Sequence, residues 1–280
     1  MALAAYTELL TYAREHNFTV GAFNSLNMET LQAVVSAAEA KNVPLIVQTY
    51  HAHLDFAGAD YMQALCSVAA NNAKVRIAMG LDHGQNFEQA KECIEKGFSG
   101  VMIDLASADY DYNVSETKKV VNLAHAKGVS VEAELGKIMT GDSTIEEIAS
   151  GYTDPGIAVK FVKETHIDCL AVSIGTAHGL YKYTPKINFD LLKTLINEVP
   201  CPIVVHGGSN TPDEDILKMV KLGVAKLNIG TDFFNAYNKT LVDCLTKAGT
   251  HEIAQVLVSA REAVKQAAMQ KIDLLTAYRV

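Results

Sequence analysis

The chain has 280 residues, of which 49% are apolar, and a formal net charge of -8 at pH 7. This length and apolar content provide for a large buried core and fit one α/β barrel domain. The acidic balance argues against a nucleic-acid partner, although a small anionic ligand can still bind to a local cluster of positive groups. Five cysteines without C-x-x-C spacing argue against disulfides or a zinc knuckle, so a reducing, cytoplasmic location fits best.

The first predicted element is an amphipathic helix in MALAAYTELLTYAREHNF, and no segment approaches the roughly 18 apolar residues of a membrane span. Eight short apolar runs with the character of strands follow, at 19–23, 44–48, 75–79, 100–104, 129–134, 169–174, 202–206 and 225–229. Stretches with helical periodicity lie between them. Eight alternating units predict an α/β fold, a (β/α)8 TIM barrel, with residues 1–280 as one domain and C-terminal helices from about residue 231. A doubly wound sheet is the alternative, but the regularity favours closure.

Polar side chains follow the carboxyl ends of the predicted strands, which is the face where barrel enzymes carry their active sites. They are Asp82, His83, Asp104, Glu132, Glu134, His178, His206 and Asn228. His83, His178 and His206 each adjoin a glycine, in DHG, AHG and HGG. Three imidazoles that leave a fourth position open are typical of a catalytic Zn²⁺ site. The alternative is a polar rim without a metal.

Asp82 and His83 are neighbours, and the interior of a strand would point them to opposite faces. We therefore expect both residues to lie beyond the end of the third strand, where the alternation no longer applies. His83 can then bind the metal while Asp82 transfers protons beside it. Capping or orientation of a loop is the alternative role for Asp82.

Glycine-rich segments follow the last three predicted strands, in GTAHGLYK (175–182), HGGSN (206–210) and NIGTD (228–232). Backbone N–H groups at such loops, together with helix amino ends and Lys182, can hold a phosphate group. Because the three loops accompany a predicted metal site, a phosphorylated substrate is the better interpretation. Ordinary tight turns are the alternative.

Several longer motifs occur in order from about residue 20 to 235: AFNSLNMETLQAVVSAAE, LDHG, VMID, VEAELG, GYTDP, LAVSIGTAHGLYK, VVHGGS and VAKLNIGTD. Together they resemble the class II, zinc-dependent ketose-bisphosphate aldolases, which include fructose- and tagatose-bisphosphate aldolases. The resemblance implies reversible cleavage of a ketose (bis)phosphate into dihydroxyacetone phosphate (DHAP) and an aldehyde through a zinc-stabilised enediolate. It also implies one catalytic Zn²⁺ per chain, allows a monovalent cation (Na⁺ or K⁺), and implies a homodimer or homotetramer.

The same resemblance assigns roles to individual residues. It makes His83, His178 and His206 the zinc ligands, with Glu134 and Asp104 as alternate ligands. It makes Asp82 the residue that takes the proton from the hydroxyl of the carbon that becomes the aldehyde. The residues that it places around the substrate and its phosphate are Asn24, Gly179, Lys182, Gly207, Ser209, Asn228, Thr231 and Arg261.

Two segments depart from the family pattern. After strand two the family usually has a small hydroxyl residue near the far phosphate, whereas this chain has Tyr50, followed by His51 and His53. This difference argues against a fructose-type bisphosphate, while Arg261 matches an arginine that contacts the far phosphate across a subunit boundary in some members.

The second departure is the loop after EAELG, which lacks the usual Gly-Gly-x-Glu-Asp stretch and reads GKIMTGDSTIEE. Asp142 is the nearest substitute for the catalytic acid of that stretch, with Glu146 or Glu147 as alternatives. The identity of the second proton-transfer residue therefore stays open.

Three other functions remain as alternatives. Lys226 lies two residues before Asn228, on the same face of strand eight, and a lysine there could form a Schiff base. A metal-dependent sugar-phosphate isomerase or epimerase could use the same site without breaking a carbon–carbon bond. A non-catalytic binding or assembly subunit would explain the altered loop, although it would leave Asp82 and the three histidines without a role.

Overall fold

The centre of the molecule is a closed barrel of parallel strands, seen in a computed structural model that describes residues 3–246 and 252–280. The barrel strands are β1 (Val20–Asn24), β2 (Leu45–Tyr50), β3 (Ile77–Gly84), β4 (Gly100–Ile103), β5 (Ser130–Leu135), β7 (Cys169–Val172), β9 (Ile203–Val205) and β10 (Lys226–Ile229). Around the barrel they follow the order β1-β10-β9-β7-β5-β4-β3-β2, and β2 closes it by pairing with β1. The short strands β6 (Met139–Thr140) and β8 (Ala177–His178) pair separately. The predicted (β/α)8 barrel is confirmed.

Helices connect successive strands and cover the outside of the barrel. Their bounds are α1 (Tyr6–Glu15), α2 (Met28–Lys41), α3 (His51–Ala57), α4 (Ala59–Asn72), α5 (Phe87–Glu95), α6 (Tyr110–His125), α7 (Ile145–Ser150), α8 (Pro155–Thr165), α9 (Phe189–Glu198), α10 (Asp213–Leu222), α11 (Thr231–Thr246) and α12 (Ile253–Leu275). Within the described part of the chain, none of these helices has the length and apolarity needed to cross a membrane. Local signals set their ends, as at α2, where the Asn27 side chain accepts a hydrogen bond from the Thr30 N–H at 2.9 Å.

Apolar side chains fill the amino-terminal half of the barrel interior, where helix α1 inserts Tyr6. The small residues Ala22 and Ala78 and the larger Ile46 belong to the same buried cluster. Gly80 of β3 and Gly100 of β4 leave room for the Tyr6 ring. A Cβ atom on Gly80 would lie 1.5 Å from the Tyr6 hydroxyl oxygen, and one on Gly100 would lie 2.5 Å from the Tyr6 Cε1.

We expect the substitution Gly80→Ala to destabilise the protein, because the new methyl group overlaps the buried Tyr6 side chain. Overpacking of a core typically costs about 1–3 kcal/mol, since neighbouring side chains or the backbone must shift. Urea unfolding followed by circular dichroism measures the change in the free energy of unfolding. Gly156→Ala is a suitable control, since Gly156 is exposed on helix α8. A Gly80→Ala protein as stable as this control would contradict the packing described.

The third strand is longer than predicted, and this corrects the expected position of Asp82 and His83. Strand β3 extends to Gly84, so that both residues lie inside it and not beyond its end. Its register with β4 shifts between Leu81 and Gly84, and His83 has a φ of 52°, in the left-handed region. An irregularity of this kind changes the direction in which side chains point and interrupts their alternation along the strand. Asp82 and His83 can therefore face the same pocket.

Candidate active site

A cavity of about 530 Å³ opens at the carboxyl ends of the barrel strands. The predicted site residues that line it are Asn24, Asp82, His83, Asp104, Glu134, His178, Gly179, Gly207, Ser209, Asn228 and Thr231. A larger cavity of about 840 Å³ lies at the opposite end, between α1 and the loops that precede β9 and β10, and none of the predicted site residues lines it. Because chemistry in barrel enzymes takes place at the carboxyl ends, we take the smaller cavity as the candidate active site.

Three imidazole rings from β3, β8 and the end of β9 meet at this cavity. Ligand nitrogens of His83, His178 and His206 all lie within 4.8 Å of one another, and His83 Nε2 is 2.9 Å from His206 Nδ1. His178 Nε2 is buried and has no hydrogen-bond partner within the described residues. An orphaned buried nitrogen beside two other imidazoles is the donor set that Zn²⁺ prefers, so these residues fit a zinc ion.

The protonation of the three rings differs because their surroundings differ. Burial, followed by the charges of His83 and His206, lowers the pKa of His178 to about 3. Burial also lowers the pKa of His206. Burial alone would lower the pKa of His83, but Asp82 and the other carboxylates around it raise that pKa to about 9. A metal ion that binds here must therefore displace a proton from His83.

Two further carboxyl groups surround His83. Asp104 Oδ2 lies 2.7 Å from His83 Nδ1, while Glu134 Oε2 lies 3.8 Å from the same nitrogen. Glu134 Oε2 is buried without a hydrogen-bond partner in the described part of the chain, and burial raises the pKa of Glu134 well above its ordinary value. His83, Asp104 and Glu134 also place ligand atoms within 4.8 Å of one another, so the two acids can serve as alternate metal ligands.

Asp82 is held beside the imidazole rings by two amide groups. Asn24 Nδ2 donates to Asp82 Oδ2 at 2.7 Å, and Asn228 Nδ2 donates to Asp82 Oδ1 at 3.0 Å. Gln48 in turn donates to Asn24 Oδ1 at 3.0 Å. Burial alone would raise the pKa of Asp82, but the positive charges around it, led by His83, outweigh burial and hold that pKa below its ordinary value. The site therefore contains an oriented, ionised carboxylate.

A buried ion pair beneath the cavity supports His206. Glu132 Oε1 lies 2.9 Å from His206 Nε2, and Lys226 Nζ donates to Glu132 Oε2 at 2.7 Å. Burial alone would raise the pKa of Glu132, but Lys226 and His206 lower it to about 2. A carboxylate that bonds a ligating histidine fixes the orientation of its ring. Sequence reasoning gave Glu132 no role, although its spacing from Glu134 places both acids on one face of β5.

Lys226 lies on the same face of β10 as Asn228, as predicted, but its surroundings do not favour a nucleophilic amine. Lys226 Nζ donates to Asn228 Oδ1 at 2.7 Å as well as to Glu132, and the residue is buried below the cavity. A Schiff base requires an amine that the substrate can reach. Lys226 is buried and paired with Glu132, so it does not present such an amine to the cavity. The sequence analysis also assigned no role to Gln48, which holds Asn24. The one local feature that could have indicated this role is an amide side chain within an apolar strand.

The loops after β7, β9 and β10 lie together at the other side of the rim. Gly179 and Gly207 have positive φ angles of 87° and 74°, and a Cβ atom on Gly207 would lie 2.3 Å from the Ala177 carbonyl oxygen. Ser209 Oγ accepts hydrogen bonds from the backbone N–H groups of Gly230 and Asp232, both at 3.2 Å. Helix α11 begins at Thr231, so its amino end faces these loops.

Besides the fully buried His206, three predicted residues do not line this cavity in the described structure. Lys182 is exposed, and its Nζ lies 5.5 Å from the centre of the Tyr183 ring. Asp142 is exposed and accepts a hydrogen bond from the Thr140 hydroxyl. Arg261 donates from Nη1 to Gln32 Oε1 at 2.7 Å, on the outer surface. Their assigned roles stay predictions.

The alternatives to Asp142 have different positions. Glu147 accepts a hydrogen bond from the Thr144 N–H at 2.7 Å and so caps helix α7, while Glu146 is exposed in the first turn of the same helix. The loop itself is anchored, since the pairing of β6 with β8 joins Thr140 to His178. Thr140 lines the cavity, two residues before Asp142.

The unusual segment after β2 forms part of the same cavity wall. Tyr50, His51 and His53 all line it. The centre of the Tyr50 ring lies 6.1 Å from that of His83, and the His53 ring lies 5.1 Å from Phe234 of α11. Burial lowers the pKa of both His51 and His53. This segment therefore contributes neutral rings next to the histidine cluster.

A closed (β/α)8 barrel with imidazole and carboxyl groups gathered at the carboxyl ends of its strands defines a barrel enzyme with its active site on that face. Residues 4–278 match the family described as Fructose-bisphosphate aldolase class-II. The chain therefore belongs to the class II fructose-bisphosphate aldolase family, as its motifs predicted, and is an aldolase.

Similar proteins are all named as aldolases, but the substrates that their names state differ. The fructose-bisphosphate aldolase of Staphylococcus aureus is 36% identical over 283 residues, which cover 97% of this chain and 96% of that protein. The sulfofructosephosphate aldolase of Alkalicoccus urumqiensis is 33% identical, with 97% and 96% covered. The crystal structure of the YdjI aldolase from Escherichia coli K12 has a TM-score of 0.87 and 30% identity, covering 98% of this chain and 97% of that one.

Proposed function

We propose that this aldolase reversibly cleaves a ketose phosphate into DHAP and an aldehyde, with a catalytic Zn²⁺ held by His83, His178 and His206. The observation that carries the proposal is the convergence of these three imidazoles beside an ionised, oriented Asp82. Class II aldolases are zinc-dependent in general, and the orphaned nitrogen of His178 fits that requirement.

Bound zinc would polarise the ketose carbonyl and stabilise the negative charge that develops on its oxygen when the carbon–carbon bond breaks. The residues of the chain move the protons. Asp82 Oδ1 lies 3.9 Å from His83 Nε2, so a hydroxyl group of a substrate at the metal is within reach of this carboxylate. Asp82 takes the proton from the hydroxyl of the carbon that becomes the aldehyde, and its two amide partners keep it directed there.

Glycine-rich loops supply the binding site for the phosphate of the DHAP half. Gly179, Gly207 and Ser209 lie beside the amino end of α11, where Thr231 begins the helix. Backbone N–H groups and the helix dipole favour a bound anion at such a point. Lys182 remains a predicted contact of this phosphate, and Asn24 and Asn228 reach the substrate from the floor of the cavity.

A second residue must return a proton to the DHAP half. Asp142 is our candidate, because Thr140 of the same loop lines the cavity. Glu134 is a buried acid that lines the cavity, and its raised pKa favours the protonated form. Exchange measurements on single variants of the two residues would separate their contributions.

The proposed function is tested with DHAP alone, by following loss of its exchangeable carbon-bound proton in D₂O by NMR. We expect zinc-loaded protein to catalyse this exchange, and treatment with a chelator to abolish it. A ketose phosphate panel should release DHAP, which a coupled dehydrogenase assay detects. An isomerase or epimerase would instead yield a rearranged sugar and no three-carbon product, while a binding subunit would catalyse neither reaction.

A further inference from the structure

Two groups of loops border the cavity at different points of the barrel rim. The glycine-rich loops come from β7, β9 and β10, which are adjacent in the barrel. The segment with Tyr50, His51 and His53 follows β2, on the other side of β1. Because the segment after β2 takes the place of the family residue near the far phosphate, a ketose phosphate held at the glycine-rich loops would direct its far end towards this segment.

In the described structure, the cavity wall offers a second phosphate group no lysine or arginine side chain. Among the described residues that line the cavity, none is a lysine or an arginine. Asp82, Asp104 and Glu134 contribute three carboxyl groups. A second phosphate group in the cavity would approach these carboxyl groups with no lysine or arginine among the described lining residues to balance its charge.

The far end instead offers neutral hydrogen-bonding groups. His53 Nδ1 is buried and has no hydrogen-bond partner within the described residues, and the residue lines the cavity. The Tyr50 hydroxyl, the His51 ring and the Gln85 amide belong to the same wall. Neutral donors and acceptors of this kind suit the hydroxyl groups of a sugar chain.

We infer that the far end of the cavity selects an uncharged, hydroxylated aldehyde, so that the preferred substrates are ketose 1-phosphates and not ketose 1,6-bisphosphates. This inference rests on the proposed aldolase function and specifies its substrate class. Tyr50, His51 and His53 are the residues that determine the specificity.

In the condensation direction, the charge of the aldehyde can be changed while the other substrate, DHAP, stays the same. DHAP is supplied with either racemic glyceraldehyde or racemic glyceraldehyde 3-phosphate, and kcat/KM is measured for each aldehyde. We expect glyceraldehyde to be favoured by at least about tenfold, which corresponds to about 1.4 kcal/mol. Equal values, or a preference for the phosphorylated aldehyde, would overturn the inference. Proton exchange into DHAP needs no aldehyde, so its presence would leave the proposed function intact in that case.

A cation introduced at the far end should reverse the preference. In His53→Lys, kcat/KM for glyceraldehyde 3-phosphate should rise at least about tenfold relative to that for glyceraldehyde, since a lysine there can bind phosphate. Ala52→Lys is the matched control, because Ala52 lies on the same helix, is exposed and does not line the cavity. A similar shift in both variants would count against a site at His53.

The variant Arg261→Met tests whether an arginine from a second copy of the chain supplies positive charge at the far end. Arg261 lies outside this cavity, bonded to Gln32, so it could reach the far end only from a second copy of the chain. We expect Arg261→Met to leave the ratio of the two kcat/KM values unchanged. A wild-type preference for glyceraldehyde 3-phosphate that disappears in Arg261→Met would overturn the inference in favour of a bisphosphate clamp shared between subunits.

Discussion

The His206→Ala variant is expected to lose its bound zinc and its aldolase activity together. His206 provides one of three converging imidazoles. Its removal leaves only His83 and His178, and two imidazoles are too few to hold the ion. Loss of a partner outside the ligand set typically costs 10–100-fold in metal affinity or activity, so loss of a ligand should lower DHAP release by more than about 100-fold. Metal analysis of the purified protein and the coupled DHAP assay measure the two effects.

A control for this experiment is His125→Ala. His125 is exposed at the end of α6 and pairs with Asp168 at 2.9 Å, at the amino-terminal end of the barrel. This variant should keep both zinc and activity. Circular dichroism establishes that His206→Ala is folded. Full zinc occupancy with normal turnover in His206→Ala would show that the proposed ligand set is wrong.

Asp82→Asn is expected to keep zinc and fold while carbon–carbon cleavage becomes about 10²–10⁴-fold slower, the usual contribution of a general acid–base group. The amide has the shape of the carboxylate but cannot take a proton. Because Asp82 acts on the hydroxyl of the carbon that becomes the aldehyde, exchange of the DHAP proton with solvent does not require it. The variant should therefore exchange DHAP protons at a rate within a few-fold of wild type.

Asp273→Asn is the matched carboxylate control, since Asp273 is exposed and pairs with Lys41 at the end of α2, away from the cavity. Its cleavage rate should equal that of wild type. If Asp82→Asn cleaved a ketose phosphate at a rate within a few-fold of wild type, Asp82 would have no part in proton transfer. If exchange and cleavage fell equally, Asp82 would act on the DHAP half or on the metal site instead.

The order of the elements was predictable from local sequence alone. Eight apolar runs separated by stretches of helical periodicity specify alternating strands and helices, and such a pattern leaves few alternatives to a closed barrel. The candidate ligands His83, His178 and His206 could be found in the same way, because each follows a predicted apolar strand run or ends it, and barrel strands end on one face. Glycine beside each histidine strengthened that prediction.

Only the tertiary structure decided how neighbouring residues come to face one site. A period of two within β3 would separate Asp82 from His83, and no local signal predicted the register shift with β4 that brings them together. The hydrogen bonds from Asn24 and Asn228 to Asp82, and the pairing of Glu132 with Lys226, likewise depend on residues from other strands. Propensity and periodicity describe a few consecutive residues, whereas these contacts join residues up to 146 positions apart. They form when closure of the barrel sets the distances between strands, and for that reason the sequence indicated the chemistry of the site while the fold determined its geometry.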